Sequence, residues 1–225
     1  MAFKELELLL TPDGKFATLV RREAIKTVDV NDLARALSQS APHRTPILPP
    51  GCKVYSHSGS MHVYAVERPP SIVPLRYWGT DYRISLPFIQ AWLGFYERGG
   101  SKTLITYYMS CTTTPLRDTT DTLYCVPLPN TYNNGAVCMG SAKVEGTTVW
   151  EISQSFLDKF LGMNHNDDLH TAVPTELAGN DSNNWGKVLT KWADLSSKNP
   201  LVGLTFKYSY LATADSLLTM LERSK

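Results

Sequence analysis

One short segment, residues 128–138 with the sequence LPNTYNNGAVC, brings together residue types that can do chemistry at a defined spacing. It contains Asn130, then a turn-forming Asn-Gly pair at 134–135, and then the thiol of Cys138. Asn and Gly favour the left-handed conformations of tight turns, so this turn can fold the chain back on itself. A thiolate can accept an acyl group, and an amide N–H beside it can stabilise the oxyanion that forms. The pattern therefore indicates acyl transfer.

The same segment resembles the active-site loop of ubiquitin-conjugating enzymes. These enzymes have a His-Pro-Asn triplet, a short turn with Gly, and the cysteine that carries ubiquitin as a thioester. The residues that match this pattern without gap or insertion are Pro129, Asn130, Tyr132, Gly135, Val137 and Cys138. Leu128 departs from the pattern, because the family has His there, and the segment 139–141 after the cysteine departs from the eukaryotic form.

The wider sequence is similar to the divergent prokaryotic branch of this superfamily, the group similar to PRTRC system protein B. The similarity covers roughly residues 45–165. Its other shared features are Leu48-Pro49-Pro50, Glu67-Arg68-Pro69, a strand led by Pro87, Thr114-Pro115-Leu116 and Leu123-Tyr124. The resemblance implies an α+β fold of the UBC-like type, an antiparallel β-meander with helices packed on one side.

The resemblance also implies roles for individual residues. Cys138 accepts the acyl group, and Asn130 donates its amide to the oxyanion. The residues expected to support the loop are Leu128, Pro129, Tyr132 and Gly135. Two structural interpretations stand beside these roles, because free cysteine is common in protein cores and Asn often caps a turn by bonding to the backbone.

Candidate acids and bases follow a predicted helix that ends near residue 162. They are His165, Asp167 and Asp168, whose side chains would orient an attacking lysine if the helix packs beside the cysteine turn. The alternative is a solvated loop, since residues 164–184 are rich in Asn and Asp.

The expected function is that of a cysteine-dependent aminoacyltransferase that transfers a ubiquitin-like modifier. The partners implied by the resemblance are a ubiquitin-like protein, an adenylating activating enzyme that uses ATP, and a JAB-type metallopeptidase. No cofactor is expected on this chain, which has no Gly-rich phosphate loop. Two alternatives remain open: a UBC-like binding scaffold without turnover, and a cysteine hydrolase that pairs Cys138 with His165 or His170, although no cysteine-protease signature supports it.

Composition argues against several other classes of protein. The formal net charge is +1, which does not favour nucleic-acid binding. No window approaches the roughly 18 apolar residues of a membrane helix, and residues 1–5 do not read as a signal peptide. The four cysteines show no Cys-x-x-Cys spacing, so no metal site is expected. We therefore expect a cytoplasmic protein with reduced thiols.

Local patterns predict the element order and three segments. The predicted elements are a hairpin at 3–21, a helix at 30–40, a hairpin at 54–66, strands at 84–96 and 103–108, a short strand at 123–126, a helix with a Thr148–Glu151 capping box at 149–162, a helix from 185, a strand at 201–208 and a helix at 213–223. The segments are an N-terminal hairpin and helix packed on the core (1–45), the UBC-like core (46–165), and a helix–strand–helix extension of the same globular unit (166–225).

Overall fold

The computed structural model describes residues 7–10, 16–21, 23–30, 48–169, 173–178 and 184–223. They fall into two compact units, one within residues 1–47 and one within 48–225. The hydrophobic core and the candidate site described below belong to the second unit.

The first unit contains a three-stranded antiparallel sheet. Its strands are β1 (Glu7–Leu10), β2 (Phe16–Arg21) and β3 (Glu23–Asp29), in that order. The pairing of β1 with β2 confirms the predicted hairpin, and β3 adds a strand that the sequence pattern does not predict. The predicted helix at 30–40 lies, from residue 31 onward, outside the described residues.

The second unit contains two sheets. The strands of the larger sheet are β4 (Cys52–Ser58), β5 (Met61–Arg68), β8 (Phe88–Arg98), β9 (Ser101–Thr112), β10 (Thr122–Tyr124) and β12 (Tyr210–Thr213). The strands of the smaller sheet are β6 (Ser71–Tyr77), β7 (Thr80–Leu86) and β11 (Asn164–His165). The larger sheet is antiparallel in the order β12-β10-β9-β8-β5-β4, and in the smaller sheet β6 lies between β11 and β7. The protein is therefore α+β with an antiparallel central sheet.

Strands β6 and β7 extend the β5–β8 hairpin into the second sheet. The same register runs through both, from Met61 opposite Tyr96 to Tyr77 opposite Thr80. The sequence pattern does not predict β6 or the first part of β7, because the Pro-Pro pair at 69–70 indicates the end of a hairpin. The strand predicted at 84–96 is divided at Pro87 between the end of β7 and β8. Prolines do lie at the transition between the sheets, where backbone pairing is interrupted. The two strands nevertheless continue side by side beyond it.

The helices of the second unit are α1 (Val149–Gly162), α2 (Thr175–Ala178), α3 (Trp185–Lys198) and α4 (Ala214–Arg223). Helix α1 begins at the predicted capping box. The hydroxyl of Thr148 accepts the backbone N–H of Glu151 at 3.1 Å, and the Glu151 carboxylate accepts the N–H of Thr148 at 3.0 Å. The predicted helices α1, α3 and α4 are confirmed.

Helix α3 packs on β7 of the smaller sheet, whereas α1 and α4 lie on opposite faces of the larger sheet, so the expectation that the helices pack on one side is wrong. On one face Leu93 of β8 packs in a cluster with Phe156 of α1. On the other face Trp92 packs in a separate cluster with Leu217 of α4. Neighbouring residues of a strand point to opposite faces, so β8 is covered on both sides. Its long apolar run follows from this burial.

The predicted strand at 201–208 is also wrong. A 3-10 helix, Val202–Thr205, occupies this stretch, and β12 begins later. Gly203 lets this 3-10 helix pack closely on β7, because a Cβ there would lie only 2.5 Å from the carbonyl oxygen of Ser85. The alternating apolar residues therefore pack a turn against β7 rather than forming a strand.

Candidate functional site

The cysteine segment forms a small antiparallel hairpin at 130–138. Thr131 bridges to Val137, and the N–H of Cys138 donates to the carbonyl oxygen of Asn130 at 2.8 Å. The N–H of Tyr132 donates to the carbonyl of Ala136 at 2.8 Å. The hairpin therefore places Asn130 and Cys138 directly opposite each other on its two strands.

The turn residues explain why the hairpin forms here. Gly135 has a φ of 84, in the left-handed region where glycine carries no steric penalty. The side-chain oxygen of Asn134 accepts the N–H of Ala136 at 3.0 Å, which is a local asparagine turn. The hairpin docks on β9, because the N–H of Met109 donates to the carbonyl of Gly135 at 2.7 Å and Tyr108 bridges to Ala136.

The residues before the hairpin anchor it in the core. Leu128 is fully buried and Pro129 is buried beside it. The hydroxyl oxygen of Thr131 lies 2.9 Å from the carbonyl oxygen of Val126 and 2.6 Å from that of Leu128. Thr131 is not among the site residues predicted from the sequence, although a threonine next to a predicted turn is the kind of residue that bonds back to the backbone.

Asn130 is almost completely buried and has a φ of 63, a left-handed conformation that asparagine tolerates better than most residues. Its side-chain oxygen accepts the backbone N–H of Asn166 at 3.0 Å. Since a backbone N–H can only donate, the oxygen end of the amide must face Asn166. The Nδ2 end therefore faces away from Asn166, and it makes no hydrogen bond within the described part of the chain.

His165 lies beneath the loop rather than at its surface. It is fully buried, and its Nδ1 lies 3.0 Å from the carbonyl oxygen of Pro129. The edge of its ring packs against Phe160 at 5.0 Å between centroids. Burial lowers the pKa of His165, an effect that the nearby carbonyls of Pro129 and Phe160 partly oppose. At neutral pH an uncharged histidine therefore contacts the loop from its buried side, at the residue that follows Leu128.

The two predicted carboxylates lie on the same segment as His165. Asp167 accepts hydrogen bonds from the hydroxyl of Tyr77 and, at 3.2 Å, from the indole N–H of Trp78. Burial, and then the carboxylate of Asp167, raise the pKa of Tyr77. Asp168 accepts the side-chain amide of Asn166 at 2.7 Å, so it is linked to the residue that bonds Asn130. The acid–base roles of these residues stay predictions.

The four cysteines differ in their surroundings. Burial raises the pKa of Cys52 to about 11 and also raises the pKa of Cys111 and Cys125. The thiol of Cys125 lies 3.3 Å from the carbonyl oxygen of Asn133 in the hairpin turn. These three thiols are therefore poor nucleophiles at neutral pH. Cys138 is half-buried at the end of the hairpin, with Tyr132 exposed on the opposite strand.

Within the described residues, no group of three or more His, Cys, Asp or Glu side chains could hold a metal ion. No helix in the same part of the chain is long and apolar enough to cross a membrane. In comparisons with known proteins, no family model matches the chain, and no curated protein or solved structure matches it either.

Proposed function

We propose that this protein is a conjugating enzyme of the ubiquitin type, which accepts a ubiquitin-like modifier as a thioester on Cys138 and transfers it to an amine. The observation that carries the proposal is the 130–138 hairpin, in which the N–H of Cys138 bonds to the carbonyl of Asn130. This backbone pairing sets Cys138 and the nearly buried Asn130 opposite each other in one short element, and a thiol and an amide are the groups that acyl transfer uses.

The reaction has two steps. The thiolate of Cys138 attacks the carbonyl carbon of the modifier's activated C-terminus, a C–S bond forms, and the previous leaving group departs. A neutral amine then attacks the thioester carbon, the C–S bond breaks, the amine's proton passes to solvent water, and Cys138 leaves as a thiolate. Each step passes through an oxyanion, and the Nδ2 group of Asn130 is the proposed hydrogen-bond donor to it.

The proposal includes a fold, partners and a location. The antiparallel run β4-β5-β8-β9, followed by the cysteine loop and α1, is compatible with a UBC-like arrangement. The partners are a ubiquitin-like protein, an adenylating activating enzyme that consumes ATP, and a JAB-type metallopeptidase that removes the modifier. The proposed location is the cytoplasm, where thiols stay reduced.

The direct test is acyl loading. The protein is mixed with a fluorescent peptide thioester, or with modifier, activating enzyme and ATP, and run on a non-reducing gel with and without thiol. We expect a thiol-sensitive adduct with the native protein, none with Cys138→Ala and a thiol-resistant oxyester with Cys138→Ser. Cys52→Ala is the matched control and should load normally. Undiminished loading of Cys138→Ala would contradict the proposal.

A scaffold without turnover is the second candidate, and one observation favours it. His165 is buried against Pro129, and the carboxylate of Asp167 is already bonded to Tyr77 and Trp78. Neither group is therefore presented as an acid or base toward an incoming amine. A scaffold would bind the modifier in a pull-down yet form no adduct with either acyl donor. The same contacts of His165 disfavour the hydrolase alternative, and His170 lies outside the described residues.

A further inference from the structure

The tip of the β6–β7 hairpin carries a residue that the local backbone disfavours. Tyr77 pairs with Thr80, which leaves Trp78 and Gly79 as the turn, with φ values of 46 and 79. Positive φ at both central residues defines the type I′ turn, for which Asn-Gly is a preferred pair. A tryptophan in this conformation costs roughly 1 kcal/mol in steric strain. The requirements of the turn therefore do not explain why a tryptophan occupies position 78.

Trp78 is also exposed and held in place at the same time. The residue is 63% exposed, the largest exposed fraction of any described tryptophan. Its indole N–H donates to Asp167, its backbone N–H donates to the carbonyl of His165 at 3.1 Å, and the N–H of Gly79 donates to the side chain of Asn164 at 2.9 Å. An aromatic side chain that is already ordered loses little entropy when a partner binds, which is typical of interface anchors.

The surroundings of the indole are acidic. The carboxylate of Asp167 receives its hydrogen bonds from Tyr77 and Trp78, which are both uncharged donors. Asp168 follows immediately in the chain. Among the residues that the structure describes, no lysine or arginine forms an ion pair with either carboxylate. An indole face beside two carboxylates of this kind suits a cationic side chain, through cation–π attraction and charge complementarity.

We propose that Trp78, together with Asp167 and Asp168, docks a lysine- or arginine-bearing segment of a partner protein. The neighbouring Arg76 and Asp81 are paired with each other at 2.6 Å, so they add no net charge to this surface. We call the surface formed by Trp78, Asp167 and Asp168 the indole–carboxylate surface.

The indole–carboxylate surface is tied to the candidate site but does not depend on it. The carbonyl of His165 bonds Trp78, while the ring of His165 bonds Pro129 and the N–H of Asn166 bonds Asn130. A segment docked on Trp78 therefore contacts the same stretch of chain that holds the cysteine loop. The proposal goes beyond acyl transfer, because docking requires no thioester and can be measured with Cys138 mutated.

The test is peptide binding to the full-length protein. The probe is a fluorescein-labelled peptide with three lysines separated by glycines, and the comparison probe has glutamates in place of the lysines. We expect saturable anisotropy with the lysine peptide below about 1 mM and none with the glutamate peptide. In an NMR titration of nitrogen-labelled protein, the indole N–H resonance of Trp78 should shift as the lysine peptide is added. That resonance is identified as the one absent from the spectrum of Trp78→Asn.

Three variants separate a docking role from a structural one. Trp78→Asn creates the Asn-Gly turn, so it should melt no lower than the native protein and bind the lysine peptide at least about fivefold more weakly. Asp167→Asn should weaken binding and reduce its salt dependence. Trp150→Ala, which removes the other exposed tryptophan, is the matched control and should bind normally. The proposal is overturned if Trp78→Asn loses stability but keeps binding, or if both peptides behave alike.

Discussion

Asn130 is the residue at which structural and catalytic roles can be separated most cleanly. Asn130→Asp keeps an oxygen acceptor for the N–H of Asn166 and tolerates the same left-handed backbone, but it loses the Nδ2 donor. We expect an unchanged melting temperature and transfer to amine slowed by about 10²- to 10³-fold, measured as decay of the pre-formed thioester.

The control for this prediction is Asn130→Gly, which fits the backbone but removes the whole side chain. It should also slow transfer and, in addition, lower the melting temperature, because the partly buried N–H of Asn166 loses its acceptor. Native transfer rates in Asn130→Asp would mean that the amide only supports the loop.

The lowered pKa of His165 predicts how the free energy of unfolding depends on pH. Its pKa in the folded protein is lowered by burial from the ordinary value of 6.5, so the folded state binds fewer protons than the unfolded state as pH falls. The contribution of His165 to the free energy of unfolding is therefore fully present above that value and is lost as pH falls below it. For one group the slope is at most about 1.4 kcal/mol per pH unit. Urea denaturation at several pH values between about 7.5 and 5 measures this loss.

His165→Asn retains a side-chain N–H near the position of Nδ1 but cannot titrate. It should be less stable at neutral pH, because the ring contact with Phe160 is lost, and its stability should fall less as pH decreases. Some pH dependence should remain, since the pKa of His62 is lowered mainly by burial as well. Equal pH dependence in both proteins would show that His165 is not the group responsible.

At the scale of secondary-structure elements, the 130–138 hairpin has a close contact with β9 at Gly135. A Cβ at Gly135 would lie 3.0 Å from the carbonyl oxygen of Met109 and 3.2 Å from the side chain of Leu211, whereas a Cβ at Gly140 would meet nothing within 4 Å. Both glycines have positive φ, 84 and 54, so each Gly→Ala change adds backbone strain of about 1 kcal/mol. Only Gly135→Ala adds a collision between the hairpin and β9.

We therefore expect Gly135→Ala to lower the free energy of unfolding more than Gly140→Ala and to reduce loading of Cys138. Gly140→Ala should show the cost of strain alone and load normally. Chemical denaturation and the loading assay measure the two effects separately. Equal effects of the two substitutions would mean that docking on β9 does not position the cysteine.

The elements that could be predicted from the sequence are those with short-range signals. Asn134 and Gly135 predict the hairpin turn, and Thr148 and Glu151 predict the start of α1. Both predictions are possible because each signal acts within a few residues. The contact between His165 and Pro129 joins residues far apart in the chain and leaves no local pattern. Strand β6 and most of β7 are not predicted, because proline interrupts backbone pairing locally but does not prevent the two strands from pairing again beyond it.

For the protein as a whole, the division into two units has a measurable consequence. The second unit contains a core on each face of its larger sheet, with α1 on one side and α4 on the other. Its buried Gln90 is bonded within the unit: the side-chain amide donates to Glu67 at 3.0 Å and to Thr112 at 2.9 Å, and its oxygen accepts from Ser110 at 3.0 Å. A unit with its own hydrophobic core is expected to fold alone.

We therefore expect residues 48–225, produced without the first unit, to unfold in a single cooperative transition and to retain the indole–carboxylate surface. Circular dichroism and urea denaturation test the first expectation, and lysine-peptide binding tests the second. The fragment carrying Trp78→Asn is the control for the binding measurement. Cooperative unfolding without peptide binding would show that residues 1–47 contribute to docking. A fragment that fails to fold would show that the first unit stabilises the second, because the described core of the second unit would then be insufficient by itself.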